Sequence, residues 1–117
     1  MSTIDRRIGS ERRTNPRYSV NVNVEWEANV GRKKGTINDV SREGCFVLCS
    51  GEVEDGENVK IFYPLSDGMK VQFLGEIVNH IYEIGFGVRF IELGAAQKDF
   101  LSKFIDSLKE ISHELHE

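Results

Sequence analysis

The stretch YSVNVNVEWE, residues 18–27, alternates without a break: Val20, Val22, Val24 and Trp26 fall on one side of an extended chain, and Ser19, Asn21, Asn23 and Glu25 on the other. Successive side chains of a strand point to opposite faces, so this is a half-buried β-strand with an apolar inner face. Five more segments of strand character follow at short intervals. GRKK (31–34) reads as a turn into GTINDVS (35–41), which carries Ile37 and Val40, and REG (42–44) leads into CFVLCS (45–50). Gly44, between those two strands, permits a positive φ. The loops GEVEDGEN (51–58) and LSDG (65–68) bracket VKIFYP (59–64) and open the way to MKVQFLGEIVNHIY (69–82), where Val71, Phe73 and Ile77 share a parity broken by Gly75. In EIGFGVRFIEL (83–93) the alternation predicts burial of Ile84, Phe86, Val88 and Phe90.

After residue 94 the period changes. In AAQKDFLSKFIDSLKEISHEL (95–115), Phe100, Leu101, Phe104, Ile105, Leu108, Ile111 and Leu115 recur three or four apart, the spacing of one amphipathic helix. Such a helix gains its stability from docking, and the mouth of the sheet is the economical partner. Six strands joined by short polar turns, with no helix between them, predict a mainly β fold: a small six-stranded antiparallel β-barrel with a C-terminal amphipathic α-helix. A chain of 117 residues, 39% hydrophobic and 29% charged, suits one such domain. No run of apolar residues reaches membrane-spanning length, and MSTIDRRIGS lacks the apolar core of a signal peptide, which points to the cytoplasm.

The charge is unevenly placed. Residues 1–17 hold Arg6, Arg7, Arg12, Arg13 and Arg17 against Asp5 and Glu11, a net +3, while the whole chain is −4 and the remainder therefore −7. Residues 1–17 are expected to form an arginine-rich, partly disordered segment ahead of a folded body spanning 18–117. An acidic body with one arginine cluster does not suit DNA or RNA, which call for a broad basic face; it suits a compact anion, which a guanidinium fork bonds bidentately. A solvated tail explains the same composition. Cys45 and Cys49 lie on one face of a strand and read as free thiols. His80 stands alone and His113 and His116 sit in the helical tail, so no zinc-ligand spacing arises.

Two short patterns sit about twenty residues apart: RTNPR, with Arg13 and Arg17, and DVSREG, with Asp39, Ser41 and Gly44. On the second alone, Asp39 and Ser41 read equally well as a self-bonding turn. Together, in this order, they resemble the PilZ domain, the bacterial receptor module for cyclic di-GMP, whose signature is RxxxR followed after one strand by DxSxxG. The similarity extends over residues 11–108, with GFGVRFIEL and the following helix resembling the family's last strand and cap. It implies that Arg12, Arg13, Arg17, Asp39, Ser41 and Gly44 hold cyclic di-GMP. Arginine forks suit the phosphates and the guanine O6/N7 edge, Asp39 can accept from guanine N1 and N2, Ser41 can donate or accept beside it, and Gly44 keeps the turn narrow. Pro16 limits how far the arginine loop must be ordered. Arg12, directly before RxxxR, goes in the family with an intercalated ligand pair. His80 is an ordinary surface histidine and Trp26 a core residue on this reading.

The resemblance further implies a non-catalytic receptor, with no cofactor and no metal, that is a monomer or weak homodimer. Its arginine segment orders on binding and so alters a surface shown to an unidentified effector protein. The alternative within the family is an interaction adaptor that does not bind the nucleotide. No nucleophile–base or paired-carboxylate motif suggests an enzyme.

Overall fold

A computed structural model of the chain describes residues 16–115, with side chains as far as Lys109; Arg12, Arg13, Ile111 and Leu115 of the expected sets lie outside that description. The alternating stretch is strand β1 (Tyr18–Ala28), and its valines and Trp26 turn inward as the parity requires, with Val24 and Trp26 fully in the core. Strands β2 (Gly31–Val40), β3 (Gly44–Leu48), β4 (Asn58–Pro64), β5 (Lys70–Ile81) and β6 (Gly85–Ile91) follow, and helix α1 (Ala95–Leu115) ends the chain. All pairings are antiparallel, and the order β1-β2-β3-β6-β5-β4 closes into a barrel when Trp26 of β1 pairs with Ile61 of β4. Closure leaves no unpaired edge.

Two local expectations are corrected. GRKK is strand: Ala28 pairs with Gly31 across the two-residue turn Asn29–Val30, Gly31 has φ 105°, and Glu27 and Glu25 face Arg32 and Lys34. Opposite charges across the ladder hold this segment extended. Ile84 is 51% exposed because the β5–β6 ladder ends at Ile81–Gly85 and the chain turns through Glu83 at φ 61°. Gly44 has no positive φ; its requirement is close approach, since a β-carbon there would stand 1.9 Å from the Val88 carbonyl oxygen.

Helix α1 closes one end of the barrel, as its stripe predicts. Phe100 and Phe104 meet Tyr63 edge-on at 5.0 and 5.4 Å between centroids, and Phe73 stacks on Phe90 beneath them. Leu101 and Ile105 are buried, each contributing about 1.5–3 kcal/mol. At the helix start, Gln97 Oε1 accepts from the Gly94 N–H and its Nε2 donates to the Gln72 carbonyl, which satisfies one orphan donor and fixes the helix to β5.

Candidate functional site

Asp39 reaches the outer surface through an irregularity in β2. Ile37 and Val40 are both buried although three apart, because the β2–β3 register shifts between Ile37 and Asp39. Strict alternation from Ile37 would have sent Asp39 inward and Val40 out. The bulge re-aims them, a device common beside binding sites. Asp39 then stands opposite Ser19 on β1, at the start of the strand that follows the arginine segment.

Arg17 meets it there. Its Nε donates to Asp39 Oδ1 at 3.0 Å and a terminal nitrogen lies 2.8 Å from the same oxygen, with 53% and 27% of the two side chains exposed. The two halves of the signature, 22 residues apart, are thus joined by one ion pair. Both contacts fall on Oδ1; among the described residues no hydrogen bond or ion pair is made to Oδ2. At this exposure the pair adds at most about 1 kcal/mol to the fold; what it fixes is the placement of a guanidinium beside a carboxylate at the surface.

Ser41 and Gly44 form the turn that follows. Ser41 is buried, its Oγ accepts from the main-chain N–H groups of Glu43 (3.1 Å) and Gly44 (3.3 Å), and its own N–H donates to the Gly44 carbonyl at 2.8 Å. The turn is fastened on two sides. The Phe90 N–H donates to the Glu43 carbonyl, and Arg42 donates to Ser102 Oγ at 2.8 Å and lies 3.7 Å from Asp106 on α1. Arg42 had no signal in the sequence because its partners lie about sixty residues away. Beneath the site, burial pushes the Cys45 thiol up to about 12, the Asp39 charge adding to this and Arg17 opposing it. Cys45 therefore stays a neutral core thiol.

The outward residues beside Asp39 follow from the registers. Asp39 pairs with Phe46 on β3, and Phe46 with Gly87 on β6. A groove of about 530 Å³ lies elsewhere on the barrel wall, lined by Asn23, Glu25, Lys34, Phe62 and Lys70 among others, and it includes none of the signature residues. Two of its charges satisfy each other, since Lys70 and then Arg32 hold the Glu25 carboxyl below its usual range. Among the described residues no group of three metal-ligating side chains converges, and His80 takes part only through its main-chain N–H, which donates to Asp55.

The model of the PilZ domain family matches residues 11–107. The chain belongs to the PilZ domain family. Similar solved structures include the PilZ domain with c-di-GMP of YcgR from Escherichia coli, with a TM-score of 0.71, 16% identity, and coverage of 90% of this chain and 97% of that one. The PilZ domain of CeSA from a cellulose-synthesizing bacterium gives a TM-score of 0.64, 19% identity and coverage of 80% and 98%. The MrkH–c-di-GMP complex of K. pneumonia gives 0.67, 14%, and coverage of 87% and 53%. At these identities the likeness is one of fold. No curated protein sequence matches the chain. In this PilZ domain, then, Arg17, Asp39, Ser41 and Gly44 of the signature lie together at the β1–β2–β3 end of the barrel, and Arg12 and Arg13 fall outside the described residues.

Proposed function

We propose that this PilZ domain protein is a non-catalytic, cytoplasmic receptor for cyclic di-GMP, built from Arg12, Arg13, Arg17, Asp39, Ser41 and Gly44. The observation that carries this reading is the Arg17–Asp39 contact. Guanine offers two acceptors, O6 and N7, on one edge and donors at N1 and N2 on another. A guanidinium beside a carboxylate matches both sets, which adenine does not offer. Ser41 and Gly44 serve by building the turn that holds Asp39 in place, and Arg12 and Arg13 bring further forks to phosphate and base. The solved PilZ domains that hold c-di-GMP support the assignment of ligand.

The adaptor reading has less support because both halves of the signature are intact. Titration calorimetry of the full chain is the direct test. Saturable binding with two ligand molecules per chain is expected, and Arg12→Leu should move the stoichiometry toward one. No heat at saturating cyclic di-GMP refutes the receptor, while a wild-type stoichiometry of one refutes the ligand pair.

On this proposal the ligand orders the arginine segment over the barrel and so changes the surface offered to an effector protein. Amide exchange should show protection of residues 6–17 rising on saturation. Unchanged protection with binding confirmed would mean that signalling uses another route.

A further inference from the structure

Seven phenylalanines are present in the chain, and six of them have an evident place. Phe73 and Phe86 are buried, Phe90, Phe100 and Phe104 pack against the core, and Phe62 lies under the Arg32 guanidinium at 3.9 Å. Phe46 belongs neither to the core nor to its fringe, and among the described residues it forms no ring pair. It is partly exposed, on the outward parity of β3 between the buried Cys45 and Val47. Its ring thus stands at the outer face of the sheet and is not one of the aromatics that build the core.

Its neighbours indicate a role for it. Phe46 is the cross-strand partner of Asp39, which places their β-carbons about 4.5–5.5 Å apart on the same outer face. On its other side is Gly87. A β-carbon at Gly44, Gly75 or Gly85 would strike a side chain or backbone at 2.3 Å or less. At Gly87 it would meet only Val78, Asn79 and Phe46, at the ordinary distances of 3.4, 3.7 and 3.9 Å, and its φ is not positive. Gly87 is itself buried, opposite Asn79 where the β5–β6 register shifts. Asp39 and Phe46 therefore form a strip on which a flat ring can lie, bonded at one edge and stacked on its face.

We propose that Phe46 is a binding residue: the guanine whose edge is held by Asp39 stacks on the Phe46 ring. This rests on the cyclic di-GMP reading above and adds to it a residue outside the signature. An aromatic platform supplies affinity that an aliphatic side chain of similar size does not, and it tolerates exchange for a larger aromatic ring.

The test is calorimetry with cyclic di-GMP on the full chain, beside Asp39→Ala as reference and with thermal melting as folding control. Phe46→Leu is expected to weaken binding about five- to a hundredfold, while Phe46→Trp retains it. The introduced indole gives a second readout: it should be quenched as ligand saturates, which the buried Trp26 of the unaltered chain should not be. Wild-type affinity in folded Phe46→Leu, or an introduced indole whose emission ignores the ligand, overturns the stacking role while a weakened Asp39→Ala leaves the receptor reading standing. No binding by the unaltered chain overturns both.

Discussion

Trp26→Ala is expected to destabilise the barrel by about 3–5 kcal/mol, the range for removing a fully buried large aromatic side chain. Trp26 has no exposed surface, meets Phe86 edge-on at 5.0 Å, and fills the space left by two glycines. A β-carbon on Gly51 would come within 2.8 Å of the indole ring, and one on Gly35 within 3.1 Å of its nitrogen. These neighbours are backbone and cannot collapse into the void. Against a total stability on the order of 5–15 kcal/mol, the loss is a large fraction, and at about 4 °C per kcal/mol it should lower Tm by roughly 10–20 °C. Trp26→Phe should cost much less. The indole N–H finds no acceptor among the described residues, so phenylalanine removes an unsatisfied donor while keeping most of the ring. Thermal melting by circular dichroism measures both. A loss below about 1 kcal/mol for Trp26→Ala would mean that β1 does not anchor the core.

The second large effect is on binding. Asp39→Ala and Arg13→Ala should each weaken cyclic di-GMP binding by about 1.5–3 kcal/mol, or ten- to more than a hundredfold, the cost of losing a charge-assisted hydrogen-bonding group. The fold should survive Asp39→Ala because its carboxylate is partly exposed and its partner Arg17, more exposed still, stays solvated when left alone. The two variants should fail differently. Arg13→Ala should flatten the salt dependence of binding, since a guanidinium that meets phosphate carries the screened term. Asp39→Ala should chiefly erode the preference for guanine over adenine, because a carboxylate accepts from base donors and repels phosphate. Titrations with cyclic di-GMP and cyclic di-AMP at two salt concentrations separate these outcomes. Near-wild-type binding by either folded variant would remove that residue from the site.

Much of this molecule is written along the chain. The alternation of residues 18–27 places Val24 and Trp26 inside, and the change of period after residue 94 marks the helix whose Leu101 and Ile105 seal the barrel. The RxxxR and DxSxxG patterns name the family because residue types at fixed spacing survive as text. The sequence is ambiguous where a local cue has two physical meanings. Charged GRKK suits a turn or an exposed strand, and the glutamates opposite it decide for strand. Gly44 suits a positive φ or a close contact, and the Val88 carbonyl decides for contact.

What the sequence determined by itself, then, is which segments are extended, which one is helical and which side chains could meet an anion, all consequences of periodicity and side-chain chemistry within a few residues. The tertiary structure decided the rest: the bulge that turns Asp39 outward, the Arg17 contact that joins two patterns into one surface, the Arg42 tie to α1, and the position of Phe46 beside Asp39. Each depends on the register between strands or on the docking of a helix. Register is set by the packing of all the inner faces at once, a condition shared among residues far apart in the chain and therefore absent from any short stretch of it.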